Sequence, residues 1–430
     1  MRRIQSVAVA IFIVSLGFCL PLSPVSAQRS TGSLRPLESP IPLQYFGMHF
    51  HRLASGTPWP EDVQIGSWRL LDAYVQWPKL EPTRDKWDFT NLDLYVKLAD
   101  QHHVAIMLPL VFTPQWASAR PSEPSAFVPG NAAEPKDMAD WRDYVRTVGT
   151  RYKGRIHEYE VWNEPNLKET YTGSISQLVE MARIAYTTLK EIDPSVTLCS
   201  PSAAGAEGVD WLDRYLKAGG KDYADVIGFH FYANPKAPEV MVPLIQQVEA
   251  VMQRDGIGNK PLWNTESGWA IQNTQTAVKP TPGQGFNSVV LSEESASAYL
   301  ARSYVLSWAG GVSRFYWYSW DNKVMGLTEE DGKTTKPPAQ AYREIENWLV
   351  GARMASCLPN EAMTWTCEIR RDNGYRGWVV WNPNRSMDFQ IPSDWQARKV
   401  RSLSGTVQKL AKDKSVQIGQ APVLIENAAQ

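Results

Sequence analysis

An α/β fold, a (β/α)8 barrel with a small C-terminal β-sandwich, is predicted by three features: eight short apolar runs, helical periodicity between them, and a change to a period of two after Val350. The runs cover residues 45–50, 66–71, 104–112, 157–162, 197–200, 225–232, 260–265 and 314–320. Between them apolar residues recur at helical spacing, as in Leu92-Tyr95-Val96-Ala99, Trp141-Tyr144-Val145-Val148, Leu178-Met181-Ala182-Ala185-Leu189 and Ala296-Tyr299-Leu300-Tyr304. A doubly wound open sheet is the competing architecture, but it requires a glycine-rich phosphate turn after an early strand. Gly256-Ile257-Gly258 and Gly283-Gln284-Gly285 follow no strand and lack the third glycine. Beyond the barrel, short alternating runs at 364–370, 377–381, 388–391, 400–404 and 422–425 are punctuated by turns such as Asn373-Gly374. The expected domains are therefore a barrel over 43–350 and a β-sandwich over 351–430.

The amino terminus carries Arg2-Arg3, an apolar run from Val7 to Leu20, and the small residues Val25-Ser26-Ala27 ahead of Gln28. These are the parts of a cleaved secretory signal over 1–27. The run is shorter than the roughly 20 residues that span a bilayer, so no membrane segment is expected after cleavage. Cys19 follows the bulky Phe18, which does not suit a lipidation box. Residues 28–42, rich in Ser, Pro and Gly, read as a tether, and the expected location is secreted or periplasmic.

Net charge is −1 with no basic block, which argues against a nucleic-acid partner. Apolar residues at 43% and charged residues at 21% give an ordinary globular core. The 18 Trp and 17 Tyr depart from an average composition and suggest stacking platforms for sugar rings as well as core, with core filling alone as the alternative for most of them. With the signal removed, Cys199, Cys357 and Cys367 remain. Cys357 and Cys367 are close enough to staple a hairpin in an oxidising compartment, whereas Cys199 lies in an apolar run and reads as a buried thiol. No CxxC or His/Cys ligand spacing is present, so neither a metal nor a cofactor is expected.

The chemistry concentrates in Glu158-Tyr159-Glu160-Val161-Trp162-Asn163-Glu164-Pro165-Asn166, an aromatic-rich run that ends in a carboxylate between an amide and a proline. Pro165 cannot donate to a ladder and restricts the residue before it to extended geometry, which places Glu164 at the C-terminal lip of strand four. A second such stretch, Pro261-Leu262-Trp263-Asn264-Thr265-Glu266-Ser267-Gly268, puts Glu266 at the end of strand seven. Cleaving a glycosidic bond requires one carboxyl to protonate the leaving oxygen and another to capture the developing cation. Glu164 is the expected acid and base, and Glu266 the expected nucleophile. Taken singly, each reads as a turn residue or a helix cap. As a pair at the ends of strands four and seven they read as catalytic. No Gly-x-Ser-x-Gly elbow supports a serine hydrolase. Long connections at 117–137, 270–291 and 321–338 follow strands three, seven and eight and are expected to wall a cleft.

Asn163-Glu164-Pro165 with Glu266 resembles the retaining glycoside hydrolases of clan A, and the resemblance runs over roughly 45–350. Trp68-Arg69, Thr113-Pro114-Gln115-Trp116, Val161-Trp162-Asn163-Glu164-Pro165-Asn166 and the strand at 315–322 look most like family 39 and its bacterial exopolysaccharide-cleaving relatives. The resemblance implies that Asn163 bonds the sugar 2-hydroxyl, that Arg69 holds the nucleophile ionised, and that Tyr232 donates to it. His230 and Tyr232, two apart on strand six, face the barrel mouth, with a core histidine as the alternative for His230. Arg69 has a surface ion pair as its alternative. Trp320 matches the clan's sugar platform, while Trp116 and Trp269 either line outer subsites or fill the core. Trp317 and Tyr318 are expected as barrel filling, packing is favoured over substrate contact for His49 and His51, and His102-His103 are expected at the surface. The resulting expectation is a retaining glycosidase acting by double displacement on a β-linked polysaccharide or oligosaccharide, with carboxyls about 5–5.5 Å apart. The tryptophan-rich loops favour endo action. The alternatives are an exo-acting β-glycosidase of xylosidase type and a non-catalytic carbohydrate-binding barrel.

Overall fold

The computed structural model describes residues 34–275, 277–278, 289–410 and 415–427. The expected signal at 1–27 and the middle of the expected cleft wall at 270–291 lie outside the described residues. Eight parallel strands form the barrel: β1 Phe46–Met48, β2 Ser67–Arg69, β3 Ala105–Leu110, β4 Glu158–Val161, β5 Thr197–Cys199, β6 Ile227–His230, β7 Leu262–Ser267 and β8 Val312–Trp317. Their order is β5-β4-β3-β2-β1-β8-β7-β6. The ring closes between β5 and β6 at the Cys199–Val226 bridge, where Asp225 N–H donates to Leu198 O at 2.8 Å and Ser200 N–H donates to Val226 O at 2.9 Å. Strands covered on both faces have no solvated side, which is why their sequences are apolar almost throughout.

The first six expected runs enclose the observed strands, but the last two are displaced. β7 continues through Ser267, so Glu266 sits inside its strand. β8 begins at Val312 and stops at Trp317, so Trp320 lies beyond it.

Helices Thr90–His102, Met138–Arg151, Ile175–Ile192, Gly205–Lys217, Met241–Arg254, Glu293–Ala309 and Pro337–Leu349 follow β2 to β8 in turn. Between β1 and β2 the chain makes only the 3-10 turn Leu53–Ser55. The helix after β4 shows how sequence sets these elements. Ser174 Oγ accepts from Gln177 N–H at 3.2 Å while Gln177 Oε1 accepts from Ser174 N–H at 2.8 Å, a reciprocal cap, and the stripe Leu178, Met181, Ala182, Ala185 and Leu189 is buried.

Inside the ring, Met107, Cys199, Val226, Trp263 and Tyr316 fill the bore. Arg314 lies over the Trp263 ring at 4.4 Å and donates to Glu158 at 2.7 Å, which closes the N-terminal end with an ion pair. The polar layer that begins two residues further along β4, at Glu160, is the base of the site described below.

The C-terminal region forms β9 Arg353–Pro359, β10 Trp365–Arg370, β11 Arg376–Trp381, β12 Met387–Gln390, β13 Lys399–Ser402, β14 Val407–Lys409, β15 Ser415–Ile418 and β16 Val423–Glu426. Six of these make one antiparallel sheet in the order β9-β10-β11-β16-β13-β14, and β12 pairs with β15 alone. The expected sandwich is therefore lopsided. One face of the large sheet packs Trp378, Val380, Val400 and Ile425 on Trp395 and Ile418. Val379, Trp381 and Leu424 instead belong to the core shared with the barrel, which takes the place of a second full layer. Cys357 pairs directly with Cys367 across β9 and β10, and the two are joined by a disulfide, while Cys199 is a buried free thiol. The described part of the expected tether docks rather than hangs free: Ile41 is buried, and its N–H donates to Ala352 O at 2.9 Å. Among the described residues no helix is long and apolar enough to cross a membrane.

Candidate active site

Strand alternation sends Ser67 and Arg69 of β2, and Glu158 and Glu160 of β4, into the bore. A regular continuation of β4 would send Trp162 there next. Instead Trp162 takes φ +64° and packs its indole against Tyr171 at 5.1 Å, with Nε1–H donating to Thr170 O at 2.9 Å. Asn163 turns inward in its place. Glu164 follows with φ +47°, so the expectation that Pro165 holds it extended is corrected. Its N–H donates to Ser202 O and its carbonyl accepts from Leu167 N–H, both at 2.9 Å, and these bonds fix a conformation that the pre-proline preference disfavours.

A second irregularity aims Glu266. Phe315 pairs with Asn264 and Trp317 with Ser267, so three steps along β7 oppose two along β8. This β-bulge breaks the alternation. Thr265 donates to Ser202 Oγ at 2.7 Å inside the barrel, and Glu266 still reaches the same centre.

Arg69 ties the two halves together. It is fully buried and donates to Glu160 Oε2 at 2.6 Å, Glu266 Oε2 at 2.9 Å and Asn163 Oδ1 at 2.8 Å. Glu160, itself fully buried, accepts a second bond from Ser202 Oγ. Tyr232 donates to Glu266 Oε1 at 2.7 Å, and His230 Nδ1 lies 2.9 Å from Glu164 Oε1. A carboxylate oxygen of Glu164, a ring nitrogen of His230 and a carboxylate oxygen of Glu266 all lie within 4.8 Å of one another.

Burial pushes both Glu164 and Glu266 up to about 7. Hydrogen bonding then separates the two carboxyls. Glu266 accepts from a guanidinium and a phenol, bonds that strengthen when it is charged, so of the pair Glu266 ionises first and Glu164 retains its proton. Burial pushes His230 down to about 4, so it is neutral. Its Nε2 is buried without a partner, and an unpaired lone pair costs less than an unpaired N–H, which assigns the proton to Nδ1. Nδ1–H then donates to Glu164 Oε1 and leaves Oε2 to carry the acidic proton. The three convergent groups also have ligand-type atoms for a cation. Arg69 already supplies positive charge to Glu266, however, and Tyr232 occupies the other oxygen, so the trio is better matched to proton transfer.

Thus Glu164, Glu266, Asn163, Arg69, His230 and Tyr232 come together. The tryptophans do not. Trp320 is 2% exposed and packs toward Phe50, so it is core rather than a platform. Trp269 is 1% exposed against Tyr299 and Trp317. Trp116 is half-buried beneath Arg84, with Nε1–H donating to Glu81 O. Tyr318, expected as filling, instead lines the cleft and donates to Asp72 Oδ2 at 2.7 Å. Sequence reasoning also missed Glu160 and Asp72. Glu160 was findable, since it lies two residues past Glu158 on a strand whose inward face is set by alternation.

Two cavities lie among the loops at this end of the barrel, and Glu164 lines the second. One of about 600 Å³ is walled by His51, Asp72, Phe112, Phe127 and Tyr318 from the loops of β1, β2, β3 and β8. The other, of about 660 Å³, is walled by Glu164, Tyr232, Asn234, Lys236 and Leu244 from the β4 and β6 side.

A parallel barrel with two glutamates facing one another at the C-terminal ends of β4 and β7 defines the clan A glycoside hydrolase class. The family model for glycosyl hydrolases family 39 matches residues 61–277, and the chain belongs to that family. It is 24% identical over 262 residues to a β-xylosidase of Geobacillus stearothermophilus, covering 54% of this chain and 48% of that protein. A β-xylosidase of Caldicellulosiruptor saccharolyticus is 26% identical over 154 residues, covering 34% of this chain and 31% of that protein. The chain thus spans half or less of the curated relatives it matches. Among solved structures, a family 39 glycoside hydrolase from Bacteroides cellulosilyticus superposes with a TM-score of 0.69 at 17% identity, covering 91% of this chain and 82% of that one. A family 39 β-xylosidase from Caulobacter crescentus gives 0.64 at 18% identity, covering 92% and 97%.

Proposed function

We propose that the protein is a secreted, retaining, endo-acting β-glycosidase. The observation that carries this reading is the Glu164–Glu266 pair, close enough for direct capture and unequal in its hydrogen bonds. Inverting enzymes hold their carboxyls roughly 6.5–9.5 Å apart to admit a water, whereas retaining ones hold them at about 5–5.5 Å, and the approach here supports the latter.

Glu164 Oε2 gives its proton to the glycosidic oxygen as the C–O bond breaks. Glu266 attacks the anomeric carbon and forms a glycosyl ester. Arg69 and Tyr232 hold the attacking carboxylate in place, and Asn163, itself oriented by Arg69, is positioned for the 2-hydroxyl. Once the leaving sugar departs, ionised Glu164 takes a proton from water, which attacks the ester and releases the sugar with its original configuration.

Glu164 lines the 660 Å³ cavity, so the leaving part of the substrate occupies that side. With the 600 Å³ cavity among the loops at the same end of the barrel, there is room for a chain rather than a single sugar, which favours endo action over the exo mode of a xylosidase. The pattern of Arg2-Arg3, the apolar run from Val7 to Leu20 and Val25-Ser26-Ala27, read as a signal, supports export of this activity. The test is new reducing-end formation on xylans, β-glucans, mannans and bacterial exopolysaccharides, with Glu266→Gln alongside and the first-formed anomer read by NMR. Oligosaccharide products of β configuration, absent with the variant, are expected. An α-anomer formed first overturns retention, and monosaccharide products alone overturn endo action.

A further inference from the structure

We propose that Glu160 is a positioning residue that acts through Arg69: its carboxylate shares the guanidinium charge, so that Arg69 aims Glu266 at the substrate without holding it too tightly to attack. The inference rests on the glycosidase reading and deepens it by naming the group that sets the strength of the nucleophile.

The side chains of Glu160 and Arg69 are both fully buried, and they meet at 2.6 Å between Oε2 and Nε. Arg69 reaches Glu266 from a different nitrogen, Nη1, at 2.9 Å, and Asn163 from Nη2 at 2.8 Å. One cation thus serves two carboxylates, and the deeper of them lies nearer. Burial disfavours the Arg69 cation, and Glu160 does more than Glu266 to restore it. On the far side of Glu160, Ser202 Oγ donates to Oε1 and accepts from Thr265 Oγ1 at 2.7 Å, which fixes the carboxylate in place. The other groups that face Glu266 are Glu164 at the end of β4, His230 and Tyr232 at the end of β6, and Asp72 and Tyr318 from the loops after β2 and β8. Arg69 is the cation among them, since burial holds His230 neutral.

Ionised Glu266 would by itself balance Arg69. Glu160 leaves the cluster with surplus negative charge, although a buried carboxylate is costly where a neutral group satisfies the same bonds. A glutamine here has the same shape, accepting from Arg69 Nε and donating to the remaining lone pair of Ser202 Oγ. Bonding alone therefore does not account for a charge at this position. The chemistry does. Glu266 gives up its charge as it forms the glycosyl ester, so attraction to Arg69 in the free enzyme is lost in the transition state and slows the attack. A guanidinium already paired with Glu160 keeps its directional N–H bond to Glu266 but pulls less on its charge. The nucleophile is aimed and stays reactive.

The test is the pH dependence of kcat/KM on nitrophenyl β-xyloside, β-glucoside and β-mannoside, for wild type, Glu160→Gln and Glu160→Asp. With the charge removed, Arg69 turns its full attraction on Glu266, so Glu160→Gln should move the acidic limb downward by about one pH unit. The same extra stabilisation of the free carboxylate should lower the maximal kcat/KM by up to roughly tenfold. Glu160→Asp draws the charge back by one methylene and should move the limb the same way by less, which gives a second reading if the glutamine variant fails to fold. A residue that merely props Arg69 would loosen the hold on Glu266 when replaced, so an acidic limb that stays put or climbs in whichever variant folds overturns the inference. A wild type silent on every glycoside overturns the glycosidase reading beneath it, a result distinct from an active enzyme whose acidic limb ignores Glu160→Gln.

Discussion

Replacing Arg69 with methionine is the perturbation that reaches furthest into this site. The side chain keeps its length but loses the cation and every donor. Glu160, fully buried, is left with only Ser202, and Glu266 with only Tyr232. Removing one partner of a buried ion pair costs about 3–5 kcal/mol, because the other charge remains out of water. The lower half of that range is expected, since Ser202 and Tyr232 still donate. The chemistry suffers separately. Burial lifts Glu266 and Arg69 opposes the lift, so the variant's nucleophile needs a higher pH to ionise. The acidic limb of the kcat/KM profile should move upward, with the maximum falling about 10²–10³-fold, as for loss of one preorganised donor in other enzymes. Urea unfolding followed by fluorescence measures the first effect, and a pH–rate profile the second. Arg69→Lys should recover part of the stability but little of the activity, because one ammonium cannot reach acceptors lying in three directions. A methionine variant within 1 kcal/mol of wild type and with an unmoved acidic limb would refute the view that Arg69 is the electrostatic centre of the barrel.

Three further outcomes follow from the same structure. Glu164→Ala should retain activity on substrates with good leaving groups and regain rate with azide, and the fall in kcat/KM as pH rises through about 7 should disappear with the acid; no rescue would sink that assignment. Because Glu164 is raised in the folded state, it contributes stability at acid pH that is lost as pH rises through about 7, so Glu164→Gln, which breaks no ion pair to Arg69, should be more stable than wild type at pH 8, by about 1–3 kcal/mol, and equal stability would contradict its burial. Alkylation of the unreduced, exported protein should label at most Cys199, and only after unfolding; two further reactive thiols would show Cys357 and Cys367 unlinked.

What was legible in the sequence was whatever depends on alternation and burial along one strand. Six strands fell within their expected runs, and the two glutamates stood out because each ends an apolar stretch. What was not legible depends on contacts between distant segments. Trp320, Trp269 and Trp116 carry the same indole as a sugar platform, and only packing against Phe50, Trp317 and Arg84 makes them structural. Tyr318 and Asp72 are 246 residues apart, and nothing local to either marks the bond that brings them to the cleft wall.

The most informative failures lie at the catalytic positions themselves. Alternation along β4 would have aimed Trp162 into the bore, and alternation along β7 would have set Thr265 and Glu266 on opposite faces. Both rules are broken, by left-handed residues at Trp162 and Glu164 and by an extra residue in β7. Each break converts a strand that would deliver one inward side chain in two into one that delivers consecutive polar groups: Asn163 with Glu164, and Thr265 with Glu266. A catalytic pair needs this density, because acid, nucleophile and the amide for the 2-hydroxyl must converge within a few ångströms while the strands stay about 4.8 Å apart. The strain of two positive φ angles at non-glycine residues, of order 1–3 kcal/mol each, is held by the Ser202 and Thr170 hydrogen bonds. Trp162→Gly would therefore relax the backbone at no steric cost and still lose activity, because the indole packed against Tyr171 is what keeps Asn163 and Glu164 turned toward the bore.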